Sequence, residues 1–362
     1  MRSIPRCAGI LLCAVQLAAG AGADERANIL FIAGEKSHGW NEHDHERICR
    51  ILADRLNKAN MGVRAEVSAA GWPSAEAMPK SLKALVVFAD GAGRNPLNGH
   101  EAELRALSEG GTGIAIVHWA LDPGTADLRK ALLDCIGGYY EPRWSVNPTW
   151  ALKDVVLAKH PVTRGIVPFE LKDEIYFHIR FRPEMSGVIP ALSAHPPAAL
   201  IPQGVESEHG GNSYVRAALE KGDIQHVAWV AVGTNGARGF GFTGGHANAT
   251  WAHRSIRGLV LNGIAWIAGL EVPEGGVPAG DDPVFLKHQT LQEAVNRQDS
   301  ADVKLHIENG ADINETNKYG WTSLYCAANR RNADIVRLLL SRGAATDKAD
   351  NRGKTALHVA VE

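Results

Sequence analysis

Between residues 27 and 270, short apolar runs alternate with stretches whose apolar residues recur at helical spacing, and this alternation restricts the fold more than any other feature. "ANILFIAG" precedes "HERICRILADRLNKAN", in which Ile48, Ile51, Leu52 and Leu56 share one helical face. "VRAEV" and "ALVVFADG" read as strands, "HEAELRALSEG" as a helix ended by Gly110, and "GIAIVH" as the next strand. Later come "HVAWVAV", "GFGFTGG" and a helix over 254–270. Strands that are apolar on both sides and separated by amphipathic helices predict a parallel sheet with helices on both faces. Residues 138–222 are less regular and rich in proline, and read as insertions around the open end of that sheet.

The polar residues fall at strand ends. The first strand runs into "AGEKSHGWNEHDHE", with His38, Asn41, Glu42, His43 and His45; the third ends at Asp90; the fourth ends at His118-Trp119. "LKDEIYFHIRFRP" carries Asp173, Glu174, Tyr176 and His178, and "ARGFGFTGGHANATWAHR" carries Arg238, His246, Trp251 and His253. Ligands of open α/β sheets bind beyond the carboxyl ends of the strands, so this repetition points to one site. "HDHE" opens a helix, where His43 and His45 are expected to point to different faces, with His45 solvated or capping. Asp173 and Glu174 have a second reading, as ion-pair partners of Arg180 or Arg182.

The ends of the chain read differently. Arg2 and Arg6, an apolar run over 7–19 and Ala21-Gly22-Ala23 form the pattern of a cleaved export signal, which implies a secreted or periplasmic protein beginning near Asp24. Without that leader, 36 basic residues face 40 acidic ones, a net charge of about −4, and no basic stripe suggests nucleic acid or an anionic membrane. No run of about 18 uninterrupted apolar residues is present, so no membrane span is expected. Cys49, Cys135 and Cys326 are too few and too scattered for a disulfide framework or a thiolate metal site.

At the other end, "YGWTSLYCAANRRNADIVRLLLSRGAATDKAD" (319–350) resembles the ankyrin repeat, and Gly310 to Gly343 and Gly320 to Gly353 each span 33 residues, the ankyrin period. The expected division is a leader over 1–23, an α/β domain over 24–270, a Pro/Gly-rich linker over 271–284 and an all-α tail over 285–362 with two repeats and a partial third. So short a stack is expected to leave Leu338, Leu339, Leu357 and Val359 partly uncovered, and offers a face to a protein partner.

The main domain resembles the ThuA-like, or trehalose-utilisation, family. The resemblance is carried by "SHGWNEHDH", "FADG", "GTGIAIVHWALD", "WALKDVVLAKHPVTRGIVPFELKDEIYFH", "RGFGFTGGH" and "RGLVLNGIAWIAGLEVPEGGV", with Ala237 standing where the family pattern has glycine. It implies a flavodoxin-like fold similar to class I glutamine amidotransferases, and a link to sugars, notably disaccharides and their 3-keto derivatives. In amidotransferases the residue at the fourth strand's end is a cysteine nucleophile. Here it is His118, so amidotransferase chemistry is not expected.

Two chemistries remain. His38, His118 and His246 form a candidate ligand set for a divalent metal such as zinc, with Asp90 or Glu174 beside them. Alternatively His118, His246, Asp90 and Glu174 act as acids and bases without a metal. His38, Trp119, Asp173, Tyr176, Arg238 and Trp251 are the candidate substrate-binding residues for a carbohydrate, with the tryptophans offering apolar ring faces to a pyranose. Lyase, isomerase and hydrolase reactions on such sugars all stay open, as does a sugar-binding module without turnover. No nucleotide cofactor is expected.

Overall fold

The structure, a computed structural model, describes residues 26–69 and 71–361. The segment expected to be an export signal lies outside the described residues. Four strands open the chain: β1 (Ala27–Ala33), β2 (Val63–Ser68), β3 (Leu82–Phe88) and β4 (Gly113–Val117). The less regular middle supplies β5 (Gly138–Tyr139), β6 (Thr149–Leu152), β7 (Val156–Leu157), β8 (Leu171–Glu174), β9 (Arg180–Phe181) and β10 (Val188–Ala194). β11 (Gln225–Val232) and β12 (Arg238–Phe242) follow.

The main sheet has the order β2-β1-β3-β4-β12-β11-β10-β7. β2, β1, β3, β4 and β12 run parallel, which is the flavodoxin order with β12 in fifth place. The expected fold is present, extended at one edge by the antiparallel strands β11, β10 and β7. The pairs β5–β9 and β6–β8 form two small separate sheets.

Alternation along each strand feeds two cores. Phe31, Val86, Val117, Phe240 and Phe242 face the layer of α1 (His45–Lys58) and the helix Arg254–Ile267, while Ile32, Val87, Ile114 and Ile116 face the opposite layer, α2 (Glu101–Glu109) and α3 (Ala126–Ile136). α1 buries Ile48, Leu52 and Leu56, spaced four apart on one face, each side chain contributing roughly 1.5–3 kcal/mol. α3 starts at Thr125, whose hydroxyl accepts from the Leu128 amide, and stops at Gly137 in a left-handed conformation. The "GFGF" of β12 follows the same logic. A Cβ at Gly239 would stand 2.2 Å from the Cys135 carbonyl oxygen, so α3 lies close on this strand only because glycine faces it.

After α4 (Ser213–Glu220), the helix α5 (Arg254–Ile267) packs beside α1. Residues 271–284 contain no helix or strand, yet Val272, Val277 and Ala279 are buried. The tail consists of α6 (Leu291–Asn296), α7 (Ser300–Glu308), α8 (Ser323–Asn329), α9 (Ala333–Ser341) and α10 (Ala356–Val361), with a core of its own from Leu291, Val295, Val303, Leu324 and Ile335. Leu339, expected to be partly uncovered, is fully buried in this core, because α7 and α8 both pack against α9. Leu357 is exposed, and Leu338 and Val359 are half-buried.

Arg257 fastens residues 279–282 to α5. Its side chain is buried and donates to the carbonyls of Trp251, Ala252, Ala279 and Gly280 and to the Asp282 carboxylate. Arg257→Met keeps the stem and leaves those acceptors unpaired, so we expect a loss of about 3 kcal/mol in urea unfolding of the full chain. An unchanged midpoint would remove this role.

Candidate functional site

β1, β3, β4 and β12 are near neighbours in one sheet, so the segments that leave their carboxyl ends meet. His38 and His43 follow β1, Asp90 follows β3, His118 follows β4 and His246 follows β12. Convergence of these strand ends explains why the apolar run of β4 stops at an imidazole. His118 is fully buried and has φ 55°, a conformation that costs a non-glycine residue about 1 kcal/mol or more and is typical of a tight strand-to-helix elbow.

The tautomers follow from the partners. His118 Nδ1 lies 2.9 Å from the Thr243 carbonyl oxygen, which can only accept, so Nδ1 carries the hydrogen and Nε2 is bare. His43 Nδ1 lies 3.1 Å from Asp90 Oδ1, a carboxylate that also accepts the Ser37 hydroxyl at 2.6 Å, so His43 too has its hydrogen on Nδ1. The two bare Nε2 atoms of His43 and His118 stand 3.1 Å apart, and His246 Nδ1 lies 2.9 Å from His43 Nε2. Two lone pairs facing each other at that distance repel unless a cation lies between them. The three ligand atoms lie within 4.8 Å of one another. Nitrogens around a tetrahedral zinc with bonds of about 2.0–2.1 Å stand roughly 3.4 Å apart, so small ring movements suit this set to a metal. Its outer hydrogen bonds, to Asp90 and to the Thr243 carbonyl, are those that orient metal-bound histidines.

The backbone brings His43 and His246 together. The His43 amide donates to the His246 carbonyl at 3.1 Å, the Asn248 amide donates to the Asn41 carbonyl at 2.7 Å, and Glu42 bridges Ala247. His43 has φ 44° and precedes α1 rather than lying in it, which corrects the expectation that it and His45 diverge on a helix. His45 is buried rather than solvated; its Nδ1 meets the Glu35 carbonyl at 2.9 Å and its Nε2 stands 3.8 Å from Asp90 Oδ1. Where the sequence suggested His38 as a ligand beside His118 and His246, the inner set has His43. His38 is exposed, its Nδ1 3.0 Å from the Ser37 hydroxyl, and it groups with His43 Nδ1 and Asp90. That outer group satisfies its own hydrogen bonds, with Ser37 donating to Asp90, and needs no ion.

Of the other expected residues, Tyr176 and Trp119 are at the centre. The Tyr176 hydroxyl lies 3.3 Å from His118 Nε2 with its ring stacked on the imidazole, and Trp119 packs edge-on to His38. Glu174 Oε1 is 3.7 Å from His246 Nδ1, and Glu42 Oε1 is 3.6 Å from its Nε2. Asp173 lies beneath: its carboxylate accepts the amides of Gly245, His246 and Ala247 at 2.8, 3.2 and 3.1 Å, so it shapes the loop that aims His246 and does not pair with an arginine. Arg180 pairs instead with Glu141, and Arg182 donates to backbone carbonyls. Trp251 is buried on Phe88 and donates to the Gly245 carbonyl, supporting the same loop. Arg238 sits at the amino end of β12, donating to the Trp266 carbonyl, and is not brought to the centre. The sequence named His43 among the strand-end residues but not as a ligand or catalytic group, and Ser37 and the Thr243 carbonyl were not picked out at all.

Burial, together with the neighbouring imidazole of His43, holds His118 well below the usual imidazole range, and so neutral. Burial pushes the Asp90 carboxyl up, but the hydrogen bonds from His43 and Ser37 outweigh it and keep it below its ordinary value. Burial also raises Glu174, only partly opposed by His246. A buried, neutral His118 in a cluster that also holds a carboxyl whose proton affinity is raised by burial can bind a cation and exchange a proton.

An α/β domain of flavodoxin order, with imidazoles where an amidotransferase has its thiol, joined to an ankyrin stack, defines the class. The chain belongs to the ThuA family, described as trehalose utilisation, whose model matches residues 28–267. A family model described as ankyrin repeats (3 copies) matches residues 291–362. No curated protein sequence matches the chain significantly.

Asp173→Ala should raise hydrogen exchange at the amides of 245–247 by about 30-fold or more, the loss expected when buried donors lose a charged acceptor. Protection equal to the parent would contradict its role under the loop. His45 supplies a pH test. Burial lowers it from 6.5 to about 4, so the unfolded chain takes up its proton first as pH falls. Stability should therefore be unaffected above about pH 7 and fall between 6.5 and 4 by roughly 3 kcal/mol, a slope that His45→Gln removes in denaturation measured against pH.

Proposed function

We propose that His43, His118 and His246 hold a divalent metal, zinc by ligand type, in a site that acts on a sugar derivative. The observation that carries this reading is the meeting of bare ring nitrogens whose opposite nitrogens are already committed to a carboxylate and a carbonyl. Three nitrogen ligands leave one position for substrate or water, the pattern of catalytic zinc sites. A divalent ion there would polarise a carbonyl or hydroxyl oxygen of the sugar. Glu174, beside His246 and raised by burial, takes and returns the proton, and the Tyr176 hydroxyl offers a donor to the developing oxyanion. Asp173 and Trp251 keep the His246 loop in place. The sugar enters this reading through the ThuA family's description, and 3-keto glycosides are the substrate class that the family resemblance suggests. In the same reading the leader exports the chain, and the ankyrin repeats provide the contact to a protein partner.

Metal analysis of purified full-length protein should find about one zinc, or another divalent ion, per chain. His43→Ala, His118→Ala and His246→Ala should each lose it while circular dichroism is retained, and affinity should fall as pH drops from 7 to 5, because protonated imidazoles cannot ligate. Parent protein free of metal after zinc loading and dialysis would overturn the reading. Glu174→Gln should keep the metal and lose about 100-fold or more in turnover of a keto-glycoside. Sugar binding without product in the metal-loaded parent would favour a binding module instead.

A further inference from the structure

A second feature lies on the other side of Asp90. A cleft of about 320 Å³ opens at the carboxyl ends of β1 and β3, lined by Gly34, Lys36, Ser37, Gly71, Asp90 and Arg94. In a sheet of this order that is the switch point, where the crossover connections diverge and leave room for a ligand. Asp90 is the wall shared with the histidine centre. Its Oδ1 accepts from Ser37 and His43, and its Oδ2 receives Arg94 at 3.1 Å. Arg94 is held a second way, its guanidinium 5.4 Å from the centroid of the Trp119 ring. With one acceptor among five N–H donors, it keeps most of its hydrogen-bonding capacity for a ligand. Lys36, which also lines the cleft, lies 5.3 Å from the Trp40 ring centroid, and among the described residues no carboxylate is within ion-pair distance of it. The acids of the cleft are Asp90, whose charge three donors already share, and the exposed Glu35.

We propose that this cleft binds an oxyanion, the carboxylate or phosphate of an acidic sugar derivative, and so selects charged over neutral sugars for the neighbouring centre. The Arg94 guanidinium, paired with Asp90, supplies planar, paired donors, and the Lys36 ammonium supplies a point charge in the same cleft. Ser37 and Trp119 tie the cleft to the imidazoles, so a ligand anchored here has the rest of its length directed at His43 and His38. The choice of sugar as the bearer of the anion rests on the proposed function; the anion site itself does not.

Calorimetry on the zinc-treated full-length protein tests it with inorganic phosphate, gluconate, glucose 6-phosphate and glucose. Anion binding is expected to exceed that of glucose by about tenfold or more and to weaken with added salt. Lys36→Met, which touches none of the histidines, should weaken it about tenfold with metal content unchanged, and Arg94→Gln should do so at least as much. Tighter binding of the two phosphates identifies a phosphorylated ligand, and tighter binding of gluconate a sugar acid. Equal affinity for all four probes, or Lys36→Met indistinguishable from the parent, would overturn the proposal. A chain that binds the anions but no metal loses only the reading of the histidine centre; one that binds metal but no anion loses only the cleft.

Discussion

Asp90 and the Thr243 carbonyl each accept a hydrogen from one nitrogen of an imidazole, His43 in one case and His118 in the other, and the chemistry of the site depends on that choice. Committing the outer nitrogens leaves the inner ones as bare lone pairs. The Tyr176 hydroxyl and His246 Nδ1 are donors within reach of these lone pairs, but the two that face each other at 3.1 Å still repel, and a positive charge between them makes the contact favourable. Burial strengthens the effect by keeping His118 neutral, so that the ring cannot relieve the contact by taking up a proton near neutral pH.

Holding those rings requires a backbone under constraint. His38, Asn41, His43 and His118 all have positive φ, a conformation that residues with a Cβ adopt at a cost and keep only where the surroundings enforce it. Here the enforcement is visible. Segments 41–43 and 246–248 are hydrogen-bonded to each other along the backbone, and the carboxylate of Asp173 gathers three successive amides just before them. The loop that carries His246 is thus fixed from both sides. Asp173 and Trp251, which the sequence placed against the substrate, act one layer further in.

The connection to the repeats touches the segment that pairs with that loop. Asn41 donates to the Leu286 carbonyl, Arg47 to that of Val284 and Arg55 to that of Asp281, so the chain leaving α5 runs along α1 and past the segment bearing His43 before α6 begins. Pro/Gly composition predicted a stretch without helix or strand, and residues 271–284 have neither. Composition carries no information about Arg257, which binds that stretch to the domain through the carbonyls of Ala279 and Gly280.

The order of strands and helices was legible in the sequence, because the hydrophobic period is local: "GIAIVH" is apolar at every position since both faces of β4 are covered, and α1 shows its buried face at Ile48, Leu52 and Leu56. The 33-residue spacing of glycines announced the repeats for the same reason. The gathering of His118, His246, Asp90 and Glu174 at one edge also followed from strand ends alone. Which imidazoles point inward did not. His43 displaces His38 from the inner set through a positive φ and a cross-chain bridge to Ala247, and Arg238 falls at the far end of its strand because β12 starts there. Periodicity records which side of an element is buried, whereas the direction of a ring beyond a strand's end is decided by partners distant in the chain, Asp90 and His246 for His43 and Thr243 for His118, and those meet only once the sheet has assembled.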